Sequence, residues 1–213
     1  MPLLSHKKIS QNTEIGIWSI EEPIEFFEEK ISLHWKEIDQ LENLSDRKAL
    51  EWFASRYLIH IMSGRTKRGP CLKDVFGKPY LEGSDYHISF SHSRNKAAAI
   101  ASKNSSGIDI QITVPKITRI AHKFCSDYET NYIESEQKIQ FLHIIWGAKE
   151  SIYKAYGRRS VDFRKEISID VFKIENNVVH TTAHLIKEGA EASYDVVARL
   201  IEEYILVYAV ESK

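Results

Sequence analysis

Residues 135–157 carry an apolar stripe at Phe141, Ile145, Ala148, Ile152 and Tyr156, spaced by three and four residues. That period is helical, and Gly157 supplies a stop, so the spacing predicts a long helix over Ser135–Gly157. One apolar stripe cannot bury itself and needs a second layer. The residues that follow provide it as strands. Ile167–Ile174 and Val178–Ile186 flank Asn176-Asn177, a good hairpin turn, and Tyr194–Ile201 with Tyr204–Val210 make a second hairpin.

The first half repeats the scheme. Glu14–Ile20 alternates as a strand does. Ser45–Met62 reads as a helix capped by Ser45, with Leu50, Phe53, Tyr57, Leu58, Ile61 and Met62 as its stripe and Gly64 as its stop. Arg56 and His60 are i,i+4 neighbours on another face. Gly77-Lys-Pro-Tyr-Leu81 is a turn entering a strand, and His87–Phe90 pairs with Ala97–Ser102 through a Ser91–Asn95 turn. The polar stretch Lys103–Gly107 divides the chain into 1–103 and 104–213. A strand over Gly107–Thr113 opens the second half, followed by a helical stretch at Pro115–Phe124. The expected fold class is α+β, with one long helix on a small antiparallel sheet in each of two halves.

A formal charge of −1 argues against a bulk polyanion binder, so no nucleic-acid partner is expected. Cys71 and Cys125 are too few for a disulfide framework or a cysteine-rich metal site. The first eight residues lack the apolar core of a signal peptide, and the longest apolar runs are too short to span a bilayer. A cytoplasmic protein with no membrane partner is the expectation.

Two segments carry the chemistry. Trp146-Gly-Ala-Lys-Glu-Ser-Ile-Tyr-Lys154 puts Glu150 and Lys154 one turn apart, on a line with Trp146 expected to face a cleft. Gly107-Ile-Asp-Ile-Gln111 puts Asp109 on one face of a strand with Gly107 and Gln111, the isoleucines taking the core side. Two carboxylates on separate rigid elements, with a lysine beside one, suit a magnesium–phosphate site: Mg²⁺ takes one or two protein carboxylates and fills its octahedron with water and phosphate oxygens. Blander readings stand beside this one. Asp109 also reads as an exposed strand acid, Lys149, Glu150 and Lys154 as surface charges, and Glu150–Lys154 as a helix-stabilising pair. Ser91-His-Ser93, taken as a turn, offers hydroxyls, imidazole and backbone N–H groups to a phosphate, or only local hydrogen bonds. Gly64-Arg-Thr-Lys-Arg-Gly69 has P-loop glycine spacing but continues Pro70-Cys71, which excludes a P-loop. His180 and His184 share a strand face without a third ligand, so a packing or surface role is expected rather than zinc.

Taken in order, Gly77-Lys-Pro79, His87-Ile-Ser-Phe-Ser-His-Ser93, Gly107-Ile-Asp-Ile110, Phe124-Cys-Ser-Asp-Tyr-Glu129 and Trp146–Lys154 resemble the 4′-phosphopantetheinyl transferases, of the larger surfactin-synthetase-activating type. The resemblance implies a pseudo-dimer of two similar halves with coenzyme A in the crevice between them. It implies Mg²⁺-dependent transfer of 4′-phosphopantetheine from coenzyme A, the substrate, to a serine of an apo acyl or peptidyl carrier protein, releasing adenosine 3′,5′-bisphosphate. That is the activity of a holo-[carrier protein] synthase. Carried onto this sequence, the family's motifs make Asp109 and Glu150 magnesium ligands, with Glu150 or a metal-bound water taking the serine proton. Lys154 meets the pyrophosphate, and Lys149 is a lesser phosphate contact. Arg56, Lys78, Ser91 and His92 hold the 3′-phosphate and adenine end. Residues 1–103 thus become the adenine side and 104–213 the metal-binding and catalytic side.

Many members carry Glu two residues after the motif aspartate, where this chain has Gln111; its amide oxygen is a weaker candidate for the metal or for a metal-bound water. Arg65, Lys67 and Arg68 are candidates to attract an acidic carrier. A monomer is expected. Two rivals remain: a coenzyme A- or carrier-binding module without turnover, and another Mg²⁺-dependent phosphotransferase or phosphodiesterase using the same two acids.

Overall fold

The computed structural model describes residues 3–42, 44–133, 135–158 and 160–212. The chain divides into two units, Met1–Lys103 and Asn104–Lys213. The first contains strands β1 (Leu3–Ser10) and β2 (Thr13–Ser19), helices α1 (Ile24–Glu28), α2 (Trp35–Leu41) and α3 (Asp46–Ser63), then β3 (Cys71–Lys73), β4 (Pro79–Leu81), β5 (His87–Ser93) and β6 (Lys96–Ser102). Its antiparallel sheet runs β1-β2-β6-β5-β4-β3.

The second unit begins with β7 (Ser106–Ile112), passes through 3₁₀ turns at Pro115–Arg119 and Ala121–Lys123, and reaches α4 (Asp127–Asn131). A third such turn at Ser135–Gln137 leads into α5 (Lys138–Tyr156), followed by β8 (Ile167–Ile169), β9 (Val178–Lys187), β10 (Ala190–Ile201) and β11 (Tyr204–Glu211). Its sheet runs β7-β11-β10-β9-β8, also antiparallel. The two units share one topology. In each, a strand is followed by a long helix and then by a four-stranded meander whose last strand returns to pair with the first. β1 is the extra edge strand of the first unit. The α+β expectation of two similar halves is what the strand orders show.

In both units the long helix packs on the first strand and its returning partner, α3 on β2 and β6 and α5 on β7 and β11. Phe53, Leu58 and Met62 fill the first core with Trp52, Ile59 and Ile88. Phe141, Ile145, Ala148 and Ile152 fill the second with Val196, Ile205 and Val207. Gly64 and Gly157 end the helices in the left-handed conformation at φ 60° and 69°, the geometry that favours glycine. Asn176 and Asn177 are left-handed at φ 50° and 62°, as a type I′ hairpin turn requires.

Several local expectations are corrected. Ser45 occupies the N-cap of α3, but its side chain makes no capping bond. Residues 115–124 form two 3₁₀ turns rather than one helix, and the strand expected over Ile167–Ile174 stops at Ile169. Ser91, His92 and Ser93 lie inside β5, paired with Ala98, Ala97 and Lys96. The turn is only Arg94-Asn95, with Arg94 at φ 51°. β1, α1 and α2 were not anticipated; β1 shows no clean alternation, because most of its residues are exposed on both faces.

One contact ties the second helix to its sheet. A Cβ at Gly107 would lie 1.9 Å from the Ser151 carbonyl oxygen, so α5 rests directly on the β7 backbone there. Gly107→Ala is therefore expected to lower stability by about 3 kcal/mol, the upper part of the overpacking range, as read by urea denaturation. An unchanged midpoint would show that α5 moves freely on the sheet. Among the described residues, no helix is long and apolar enough to cross a membrane.

Candidate active site

The pleat of β7 sends Gly107, Asp109 and Gln111 to the side that meets α5. Ile108 and Ile110 on the other side are also buried, at 0 % and 3 % exposure, so Asp109 lies between strand and helix rather than opposite a core face. On α5, His143, Gly147, Glu150 and Lys154 follow at i, i+4, i+7 and i+11, which places them on one stripe. Lys154 Nζ donates to Asp109 Oδ1 at 2.8 Å and to the Ile108 carbonyl at 2.9 Å. The two side chains keep 26 % and 10 % of their surface accessible, so this pair borders solvent. Glu150, half-buried beside them, has its carboxyl pushed above the ordinary range, chiefly by burial. Lys154 opposes that shift and the charge of Asp109 adds to it. Asp109, Glu150 and Lys154 are thus brought together electrostatically.

Gln111 enters differently from expectation. Its Nε2 donates to Asp109 Oδ2 at 3.2 Å and to the His143 carbonyl at 3.0 Å. Its Oε1 lies 2.6 Å from His143 Nδ1. His143 Nε2 lies 2.9 Å from the Val114 N–H nitrogen and 3.2 Å from the Val114 carbonyl oxygen. Because the Gln111 amine faces two acceptors, its Oε1 is the group turned to Nδ1, and a proton on Nδ1 satisfies that contact. Burial holds the His143 imidazole below its ordinary pKa, in its neutral form. The amide oxygen of Gln111 is committed to His143, so the chain offers no third metal oxygen at this position. His143 was missed in the sequence. Its signal is the polar stripe through Gly147 and Glu150, which only the α5–β7 contact makes meaningful.

Lys149 is not a phosphate contact. It is 0 % exposed, and its Nζ lies 2.7 Å from Glu129 Oε2 and 2.8 Å from each of the carbonyls of Phe124, Phe163 and Ile167. Three ammonium protons face four acceptors, leaving none for a ligand. Glu129 also closes the Ser126–Glu129 capping box of α4 and accepts the Ile169 N–H. Trp146 packs on Phe124 and Phe163, with ring centroids 5.1 and 5.7 Å away, and does not line a cleft with Glu150.

In the first unit, Arg56 is 7 % exposed and lies 4.3 Å over Trp52 and 4.7 Å over Phe90. Its Nη1 donates to Ser55 Oγ and, at 3.5 Å, to the Trp52 carbonyl, its Nε has no partner, and among the described residues no carboxylate forms an ion pair with it. Burial lowers its pKa to about 10. The charge of Glu37, itself paired with Arg68, acts on Arg56 without an ion pair, and a buried cation with no carboxylate bonded to it favours an anion. His92 Nδ1 lies 3.0 Å from Glu51 Oε2 across α3 and β5. Because the segment is strand, its backbone groups belong to the ladder, and Ser91 and His92 leave opposite faces; a phosphate-holding turn is excluded. Lys78 precedes β4, after Gly77 at φ 90°. Arg68 pairs with the buried Glu37, and Arg65 donates to the Glu82 and Gly83 carbonyls. Of the three cations expected to attract a carrier, Lys67 alone is exposed.

Residues 105–209 match the 4′-phosphopantetheinyl transferase superfamily. This segment, just under half of the chain, is similar to that superfamily. The chain is also 26 % identical over 137 residues to the 4′-phosphopantetheinyl transferase gsp of Aneurinibacillus migulanus, covering 63 % of this chain and 55 % of that relative. The chain thus spans about 55 % of the length of the relative it matches. The superfamily match contains β7 and α5, so Asp109, Gln111, His143, Glu150 and Lys154 all lie within it.

The fit to magnesium follows from the donor set. Among the described residues, no group of three His, Cys, Asp or Glu could hold a metal, so a cage built from those side chains does not form there. Asp109 and Glu150 are hard oxygen donors, and the neighbouring charge on Asp109 raises the Glu150 pKa, a repulsion that a cation relieves. Two carboxylates fit a magnesium whose remaining positions go to water and phosphate. Restoring the common acid puts a third carboxylate against Asp109 and the His143 carbonyl. Gln111→Glu is expected to melt lower than the unsubstituted protein without metal, with magnesium and coenzyme A narrowing the gap. Equal melting curves in both conditions would contradict this.

Proposed function

We propose that the protein transfers 4′-phosphopantetheine from coenzyme A to a serine of an apo acyl or peptidyl carrier protein and releases adenosine 3′,5′-bisphosphate. It would be a holo-[carrier protein] synthase, acting as a magnesium-dependent cytoplasmic monomer. The observation that carries the reading is the Asp109–Lys154 pair beside a half-buried Glu150, inside the segment that matches the superfamily.

In this reading the carrier serine oxygen attacks the phosphorus nearest the pantetheine arm. The new P–O bond forms as the bond to the bridging oxygen breaks, and the leaving group departs as the bisphosphate. Glu150 accepts the serine proton, a task suited to a carboxylate of raised pKa. Lys154, held by Asp109 and the Ile108 carbonyl, meets the charge that develops on the pyrophosphate without first having to reorient. Asp109 and Glu150 would hold magnesium, which supplies charge neutralisation. In the first unit, Arg56 and His92 answer the 3′-phosphate, with Ser91 and Lys78 as separate contacts. Glu51 would orient the His92 ring.

The test is intact mass of an apo carrier protein after incubation with the protein, coenzyme A and Mg²⁺. A phosphopantetheine-sized gain, abolished by EDTA, is expected. Coenzyme A binding with no gain on several carriers would replace the reading by a binding module. Absence of both would end it.

A further inference from the structure

We propose that His143 is a positioning residue for Asp109, acting through Gln111, and that this neutral pair stands in for the acid many superfamily members carry at that place. The inference rests on the magnesium–phosphate reading of the site.

Three links make a chain. The Val114 N–H fixes His143 through Nε2, the Nδ1–H of His143 fixes the Gln111 oxygen, and the Gln111 amine reaches Asp109 Oδ2. The direction of the amide is dictated. Turned over, its oxygen would face the Asp109 carboxylate and the His143 carbonyl, two acceptors. Asp109 is therefore gripped at both oxygens, by Gln111 at Oδ2 and by Lys154 at Oδ1. The two grips originate eleven residues apart on one helix, about 16 Å along its axis. A second observation shows that the helix surface makes room for this chain. A Cβ at Gly147 would lie 2.8 Å from Gln111 Nε2 and 2.7 Å from Val207 Cγ2, so only glycine leaves space for the amide. A histidine that merely filled the core would need neither the amide bond nor this gap. A carboxylate held at both oxygens presents fixed lone pairs to a cation, and loss of such outer support costs metal affinity.

The experiment measures Mn²⁺ binding to the full chain with coenzyme A present, by electron paramagnetic resonance, beside melting temperature and coenzyme A binding without metal. His143→Leu and Gln111→Met are each expected to weaken Mn²⁺ binding about tenfold, and the double variant to be no weaker than either alone. His143→Asn, whose amide N–H lies near the former Nδ1–H, is expected to recover most of the loss. Coenzyme A binding without metal should be unchanged throughout. Gln111→Met, at a half-exposed position, keeps the test valid should His143→Leu fold poorly. Melting that falls while Mn²⁺ affinity holds, or losses that add in the double variant, would overturn the inference. No Mn²⁺ binding by the unsubstituted protein would overturn the metal reading itself, and this inference with it.

Discussion

Lys149→Met is expected to destabilise the protein by about 3–5 kcal/mol, or about 6–20 °C in melting temperature for a chain of this size. The cause is what remains behind. Glu129 is 0 % exposed and would keep its charge without the ammonium 2.7 Å away, and the carbonyls of Phe124, Phe163 and Ile167 would lose a shared donor. Breaking a buried pair costs far more than the pair itself contributes, because an uncompensated charge is left in a low dielectric. Adding Glu129→Gln removes that charge while keeping a capping acceptor, so the double variant should regain part of the loss. Urea denaturation reads both. A Lys149→Met protein of unchanged stability with weakened coenzyme A binding would restore the phosphate role that the burial of Lys149 rejects.

Glu150→Gln should do the opposite. Transfer activity is expected to fall by about 10²–10⁴, the usual contribution of a positioned general base. Stability should not fall. An acid whose folded pKa is raised stabilises the fold only in its protonated form; that contribution is lost as pH rises through the folded value, so at neutral pH the ionised carboxylate is a cost. Burial is the main cause of the raised value, and a neutral amide of the same shape removes it. Loss of activity with an equal or higher melting temperature therefore separates Glu150 from Lys149, its neighbour in sequence. Retained transfer in Glu150→Gln would remove Glu150 from the base role.

The features legible in the sequence depended on neighbours along the chain. Gly64 and Gly157 stop their helices because a left-handed residue must follow the last turn, and Asn176-Asn177 turns because both residues tolerate positive φ. The apolar period of α5 needed no partner to be seen. Segments whose residues suit two states were misread. Serines at 91 and 93 favour turns, yet pairing with β6 keeps them in a strand, because the ladder outweighs local propensity. The exposed β1 carries little pattern, since it buries little on either face.

For the candidate site, the sequence by itself singled out two acids and a lysine, Asp109, Glu150 and Lys154, because motif spacing can be read without coordinates. The tertiary structure decided what their neighbours do. Lys149 and Glu150 are adjacent in the chain but about 100° apart around the helix, so one enters the core and the other meets β7. His143 and Gln111 are 32 residues apart and meet only where Gly107 lets α5 rest on the strand and Gly147 leaves room for an amide. Chemistry that depends on residue type and local spacing can be read from a chain. Chemistry that depends on which face of a helix touches which strand is settled by packing, since burial and hydrogen bonding act between surfaces and take no account of distance along the sequence.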